Sequence, residues 1–210
     1  MPYSGLMGFL YNIMNWIMRL AYVNILWIFF TMVGMIVFGF VPATSAMFAV
    51  TRKWLRGRTD APIFKTFWRS YKKGFFKANM IGLILIAIAY VLYIDLMYIR
   101  TLNDLLATIL IAVLITLSIG YVILSLYIFP VFVHYKLSIF KYLKVAFMIG
   151  LASPLSTILM VAGIAIVYFL IKLVPGIIPF FSGSLLSVAI MWPANMAIRK
   201  VDENAKRSIG

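Results

Sequence analysis

Residues 105–133 read LLATILIAVLITLSIGYVILSLYIFPVFV and contain no Asp, Glu, Lys, Arg or His. A helix needs about 20 mostly apolar residues to cross the hydrocarbon core of a bilayer. The apolar residues of this run are continuous and do not alternate with period two. The run therefore predicts a spanning helix and disfavours a strand of a membrane β-barrel.

Four other stretches of the chain have the same character, so five spanning helices are predicted. The predicted bounds of all five, including residues 105–133, are 22–41, 79–99, 105–133, 145–171 and 177–197. The sequence thus predicts an all-α fold, a polytopic membrane helix bundle with short amphipathic helices at the interface. We expect residues 1–210 to form a single integral membrane domain.

The composition excludes other classes of protein. Of 210 residues, 65% are apolar and 11% are charged, against about 45–50% and about 25% in soluble domains. A soluble core of this size would lack polar residues to cover it, and a disordered chain would be far less apolar. The chain has no cysteine, which removes disulfides, thiolate metal sites and thiol catalysis.

The net charge of +14 is distributed unevenly along the chain. Sixteen of the 19 Lys and Arg residues lie in three segments, 42–77, 134–144 and 198–210, which share one side of a five-span arrangement. The other three are Arg19, Arg100 and Lys172. The positive-inside rule therefore predicts a cytoplasmic carboxyl terminus and an amino terminus outside. These cations should attract anionic lipids of the inner leaflet, and no nucleic-acid-binding motif accompanies them.

The amino-terminal segment has two possible interpretations. Residues 6–20 place apolar side chains on one helical stripe and Asn12, Asn15 and Arg19 on another. This pattern fits a helix lying on the outer membrane surface or an extension of the first span. Because no basic amino-terminal region or cleavage site precedes the first span, we expect that span to be an uncleaved anchor.

The segment 42–77 combines aromatic and basic residues and predicts two short cytoplasmic helices. The first begins after Pro42 and ends at Gly57, and the second begins at Asp60 with Pro62 in its first turn. Aromatic side chains on one face and cations on the other suit the headgroup boundary. The candidate residues for docking lipid or a partner are Arg52, Lys53, Trp54, Arg56, Lys65, Phe67, Trp68, Arg69, Lys72 and Lys73. The segment is interpreted either as a lipid-anchored connector without a partner or as a docking surface for a cytoplasmic or membrane partner.

Polar residues within the predicted spans are few. Asp95 is the sole acidic residue inside a predicted span, and Arg100 follows five residues later. The pair is a candidate pathway or outer polar site, or an interfacial carboxylate held by Arg100 or water. His134, the sole histidine, is expected to be interfacial without acidic partners nearby.

Other polar and small residues predict helix packing. Asn24 should bond to backbone groups of a neighbouring helix. Ser153, Ser156 and Thr157 flank Pro154 and predict a kink whose freed carbonyl groups accept bonds from hydroxyl groups. Ala146 and Gly150 predict a close helix approach. No acid–base constellation or phosphate-binding glycine loop is present, so no enzymatic activity, cofactor or metal site is predicted.

The first third of the chain resembles a known family. The residues that carry the resemblance are Asn24-Ile25-Leu26-Trp27, Gly34, Gly39, Pro42-Ala43-Thr44-Ser45-Ala46-Met47, Thr51-Arg52-Lys53-Trp54-Leu55-Arg56-Gly57, and Phe64, Phe67, Phe75 and Phe76 around Lys72 and Lys73. Over residues 15–85 they are similar in order and spacing to the YesL-like family of small bacterial integral membrane proteins, whose defining domain has no assigned function.

The resemblance implies a multi-span protein of the bacterial cytoplasmic membrane. Such proteins are often encoded beside binding-protein-dependent sugar importers, which implies an accessory role in carbohydrate uptake. The implied partners are subunits of an ABC-type importer or a second copy of the chain. The alternative function is a small transporter or channel for a solute or ion, with Asp95 in its pathway.

Overall fold

The computed structural model describes residues 6–99 and 105–207, and all secondary structure in these residues is helical. A single-turn 3₁₀ helix, Pro175–Ile177, precedes the last helix. The seven α-helices are α1 (Leu6–Val33), α2 (Val37–Leu55), α3 (Ile63–Ile99), α4 (Leu105–His134), α5 (Ile139–Ala152), α6 (Pro154–Leu173) and α7 (Ile178–Arg207). The predicted all-α membrane fold is confirmed.

Five helical segments are long and apolar enough to cross a membrane, as predicted from the sequence. They are Met7–Val33, Ile63–Ile99, Thr108–His134, Pro154–Leu173 and Pro175–Asn204. A chain with five such helices is a multi-pass membrane protein. The exposed surface of these helices is largely apolar, as expected for side chains that face lipid.

The first predicted span, 22–41, is wrong as a single helix. Residues 6–20 are continuous with it in α1, but α1 ends at Val33 and α2 begins at Val37. Met35 and Ile36 adopt positive φ values of 57° and 62°, which no right-handed helix accommodates. The chain therefore turns back at this point instead of continuing to Pro42.

The helices α1 and α2 form an antiparallel hairpin. The rings of Trp16 and Trp54 lie 5.6 Å apart at its open end, and the indole N–H of Trp27 donates to the Thr44 hydroxyl at 3.0 Å near its turn. Pro42 lies inside α2 and does not begin it, contrary to the sequence prediction. The hairpin also explains the spacing of Gly34 and Gly39, whose backbones meet where the two helices are closest.

Burial is concentrated in α2. Eleven of its residues are buried, including the consecutive run from Pro42 to Phe48. Four hydrogen bonds join the hairpin to α7. Thr51 and Ser187 share one of 2.8 Å, and Asn24 of α1 makes the other three, among them a bond to the Pro179 carbonyl oxygen at 2.7 Å. The prediction that Asn24 bonds to the backbone of another helix is confirmed.

The fourth predicted span, 145–171, is two helices. α5 ends at Ala152 and α6 begins at Pro154, with Ser153 between them at φ −134° and ψ 63°. The Thr157 hydroxyl donates to the carbonyl oxygen of Ser153 at 3.3 Å. The predicted kink, closed by a hydroxyl group, is therefore present as a full break in the helix.

Close packing of α5 against α4 follows the small residues that the sequence analysis singled out. Ala146 and Gly150 are buried, and a Cβ atom at Gly150 would lie 3.2 Å from the Tyr127 ring. The Tyr127 hydroxyl is within 3.1 Å of Thr157 Oγ1. These contacts hold the carboxyl-terminal half of α4 beside the α5–α6 break.

The chain divides into two compact units. One lies within residues 1–74 and 161–192 and contains the α1–α2 hairpin. The other lies within residues 75–160 and 193–210 and contains α4 and α5. The helices α3, α6 and α7 each contribute residues to both units. The predicted docking residues belong to the first unit, and His134 belongs to the second.

Candidate functional site

The first three turns of α3 carry the basic and aromatic residues that the sequence indicates as a docking surface. Lys65, Arg69, Lys72 and Lys73 are spaced i, i+4, i+7 and i+8, so they lie on one face of the helix. All four are exposed. Together with Trp68 they line a shallow, open depression of about 650 Å³ on the helix surface. We call these five residues the basic groove.

Aromatic packing fixes the opposite face of the same turns. The ring of Phe30 on α1 lies 5.3 Å from Phe67, 5.3 Å from Trp68 and 5.0 Å from Tyr71. The Tyr71 hydroxyl also donates to the carbonyl oxygen of Phe30 at 3.2 Å. Because these contacts hold one face of α3 against α1, the cations are held on the other face.

The charge of the basic groove is not neutralised within the described residues. Neither ion pair found there includes Lys65, Arg69, Lys72 or Lys73. Trp68 lies at the boundary between the two faces, 43% exposed, and its ring stacks on Tyr71 at 6.2 Å. The groove thus combines four free cations with an aromatic side chain, a composition suited to an anionic, partly apolar ligand.

Other predicted docking residues are structural. Phe67 is fully buried and Trp54 is 4% exposed, so neither is part of an exposed surface. Lys53 donates from Nζ to the Thr66 hydroxyl at 2.9 Å and joins the end of α2 to α3. The sequence placed Phe67 and Trp54 in the docking set because it could not distinguish an aromatic side chain that faces the core from one that faces the membrane.

Arg52 is half-buried, whereas Arg56 beside it is exposed. Burial, with a smaller contribution from the positive charge of Arg56, lowers the pKa of Arg52 to about 10. The Arg52 guanidinium is still charged at neutral pH. Its buried Nε–H has no acceptor among the described residues. Among the docking candidates in α2 and directly after it, Arg56 is the exposed residue.

The structure contradicts the prediction that Arg19 and Asp60 lie on opposite sides of the membrane. The sequence analysis placed Arg19 outside and Asp60 in the cytoplasm, but Arg19 Nη2 is 3.9 Å from Asp60 Oδ1. Two groups in contact cannot lie on opposite sides of a bilayer that is about 30 Å thick. The open end of the hairpin therefore places Arg19 on the same side as the basic residues of 52–60.

His134 has an acidic partner that the sequence analysis did not find. His134 Nε2 is 3.6 Å from Asp202 Oδ2, and the neighbouring Tyr135 hydroxyl donates to Asp202 Oδ1 at 2.6 Å. Burial, followed by the bond to Asp202 and its negative charge, raises the pKa of Tyr135. The cluster joins the end of α4 to the last turns of α7. Because Asp202 is distant in sequence, no local signal predicts it.

The predicted pathway residues are not brought into one polar site by any described hydrogen bond or ion pair. Asp95 is exposed on α3, and Arg100 lies outside the described residues. Ser153 and Ser156 are buried at the α5–α6 break, where the Thr157 hydroxyl donates to the carbonyl oxygens of Gly150 at 3.5 Å and Ser153 at 3.3 Å.

Residues 20–96 match a protein family described as "Protein of unknown function, DUF624". Similar proteins of Bacillus subtilis (strain 168) include the uncharacterized proteins YteU, YesL and YesV. YteU is 39% identical over 97% of this chain and 91% of its own length. YesL is 38% identical over 92% of this chain and 91% of its own length. YesV is 36% identical over 89% of this chain and 89% of its own length. No solved structure matches the chain significantly.

Proposed function

This chain belongs to the DUF624, or YesL-like, family, and we propose that it is a non-catalytic membrane component that docks onto other molecules through its basic groove. The observation that carries the proposal is the exposure of Lys65, Arg69, Lys72 and Lys73 on a helix face fixed by Phe30. Cations without ion-pair partners among the described residues impose a cost of mutual repulsion, which an acidic surface would offset.

The proposed ligands are the anionic headgroups of the inner leaflet and an acidic surface of a membrane partner. Each Lys or Arg near an anionic membrane contributes about 1 kcal/mol of attraction. Exposed Trp68 adds an aromatic contact of the kind enriched at the membrane interface. For the protein partner we propose a subunit of an ABC-type sugar importer, because the family resemblance implies genes encoded beside such importers. Self-association through the same face is the competing arrangement.

The proposed location is the bacterial cytoplasmic membrane, with the basic segments in the cytoplasm. The positive-inside rule supports this orientation for the α2–α3 connection, for the α4–α5 connection and for the end of α7. Contact between Arg19 and Asp60 supports the same side for the open end of the hairpin. We therefore propose that both ends of the chain face the cytoplasm, in place of the outside amino terminus expected from sequence alone. This arrangement requires that four of the five long apolar helices cross the bilayer.

Co-purification from native membranes tests the proposed function. A variant with Lys65, Arg69, Lys72 and Lys73 all changed to Gln loses four charges from the basic groove and leaves the Phe30 contacts intact. We expect it to be produced and to elute as the unaltered protein does, but to retain markedly less of the partner protein. Mass spectrometry of the co-purified proteins identifies that partner.

A matched variant controls for total charge. Lys136, Lys141, Lys144 and Arg199 are also exposed and lie elsewhere in the structure. Changing these four residues to Gln removes the same charge, and we expect full retention of the partner. If both variants lost the partner protein equally, the effect would come from net charge and not from the basic groove. If both variants retained the partner protein equally, the docking role of the basic groove would be refuted.

A further inference from the structure

The open end of the α1–α2 hairpin lies at the membrane surface. Asp60 is fully exposed in the connection between α2 and α3, and exposed Arg56 and Arg58 precede it. A segment with three exposed charges has to be hydrated, because a charge in hydrocarbon is costly. Arg19, which contacts Asp60, therefore marks where α1 enters the bilayer.

The hairpin beyond this level is too short to cross. Fourteen residues separate Arg19 from the end of α1 at Val33, and at 1.5 Å per residue they extend about 21 Å. On the return, Val37 to Arg52 extends about 22 Å. Both lengths are less than the roughly 30 Å of a hydrocarbon core. The turn thus ends about two thirds of the way through the bilayer.

The side chains of the turn suit hydrocarbon and not water. Met35, Ile36, Val37 and Phe38 are 81%, 64%, 70% and 58% exposed. Turns that face water favour Gly, Pro, Asn, Asp and Ser. Here four consecutive large apolar residues project outward, and two of them have positive φ values. Nothing in this turn would hold it at a water interface.

Four consecutive backbone amides at the turn, those of residues 34–37, have internal hydrogen-bond acceptors, as hydrocarbon requires. The amide groups of Gly34, Met35 and Ile36 donate to carbonyl oxygens of α1 at 3.1, 2.9 and 2.8 Å. The Val37 amide donates within the turn, to the Met35 carbonyl oxygen at 2.7 Å. The Thr44 hydroxyl, which accepts from the Trp27 indole, donates to the Phe40 carbonyl oxygen at 2.7 Å.

From these observations we infer that the α1–α2 hairpin is re-entrant: it enters and leaves the bilayer on the same face, and its turn, residues 34–38, contacts lipid acyl chains. The exposed apolar side chains of residues 34–38 are therefore covered by the hydrocarbon of the membrane. The inference goes beyond the proposed docking function and is independent of what the basic groove binds.

Spin labels on single cysteines test the inference, because the chain has no cysteine of its own. Val37→Cys places a label on the turn, Met35→Cys provides a second turn position, and Arg58→Cys serves as a hydrated control. Each labelled protein is reconstituted in lipid vesicles. Power saturation is then measured with oxygen, which partitions into hydrocarbon, and with a water-soluble nickel chelate.

We expect labels at residues 37 and 35 to be accessible to oxygen and to lose nearly all accessibility to the nickel chelate, whereas the label at residue 58 shows the reverse. The ratio of oxygen accessibility to nickel-chelate accessibility should place the turn labels deep in the hydrocarbon. Nickel accessibility at residues 35 and 37 comparable to that at residue 58 would overturn the inference, because it would place the turn in water.

Discussion

Asn24 on α1 accepts a hydrogen bond from the backbone amide of Ser184 on α7, with Oδ1 and N 3.0 Å apart. The same oxygen accepts from the Gly183 amide at 2.9 Å, and the Asn24 side-chain amide donates to the Pro179 carbonyl oxygen. One fully buried side chain therefore satisfies three backbone groups in the first turns of α7.

Replacement of Asn24 should destabilise the protein strongly. In Asn24→Leu the amide groups of Gly183 and Ser184 and the Pro179 carbonyl group lose their partners in a buried environment, at a cost of about 2–4 kcal/mol. Thermal unfolding in detergent, followed by tryptophan fluorescence, should show a clear decrease in Tm. Asn12→Leu, at an exposed position on the same helix, should leave Tm nearly unchanged. Similar Tm values for both variants would show that the hydrogen bonds of Asn24 to the backbone of α7 do not stabilise the protein.

Gly39 should tolerate no side chain. A Cβ atom there would lie 2.8 Å from the Phe30 carbonyl oxygen and 2.9 Å from Gly34 Cα, and closer still to the Thr31 carbonyl oxygen. Gly39→Ala would force the two helices apart, and we expect a loss of about 1–3 kcal/mol. Gly176→Ala is the matched control, because no atom lies within 4 Å of its Cβ position. An unaltered Tm for Gly39→Ala would show that the helices do not approach this closely.

The Tyr135–Asp202 bond should stabilise the protein in a pH-dependent way. The pKa of Tyr135 is raised in the folded protein, so its protonated form is favoured by folding. Its contribution is fully present below about pH 10, the pKa of an unfolded tyrosine, and is lost as pH rises through the folded value. Tyr135→Phe should therefore cost about 1 kcal/mol at pH 7.

The quantity to measure is the difference in unfolding free energy between the unaltered protein and Tyr135→Phe. The contributions of the other titrating groups are present in both proteins and cancel in this difference. We expect a constant difference from pH 7 to pH 9 that decreases above pH 10. A difference that instead grows above pH 10 would have the wrong sign for a tyrosine that donates to a carboxylate.

The membrane class and the five long helices followed from hydropathy alone, because a spanning helix needs an apolar length that few other structures require. The kink at Pro154 and the interhelical bond of Asn24 were also predictable, since each polar group in a span needs a partner. These predictions depend on the types of neighbouring residues, which can be read directly from the sequence.

The hairpin turn was not predictable in the same way. Residues 33–38 are as apolar as a continuous span, and their turn depends on positive φ values at Met35 and Ile36, residue types that rarely adopt them. The contact between Arg19 and Asp60 was missed because it depends on this turn. The burial of Trp54 and Phe67 depends on Trp16 and Phe30, which lie far away in sequence.

Photo-crosslinking in living cells tests the central claim most directly, namely that the basic groove contacts a partner. Benzoylphenylalanine replaces Lys72 in the groove or, as a control, Phe140, which is 80% exposed on α5. We predict that illumination of the position-72 variant gives a discrete protein adduct that the position-140 variant does not give, and that changing Lys65, Arg69 and Lys73 to Gln abolishes it. The same adducts from both positions, or none from position 72, would contradict the account.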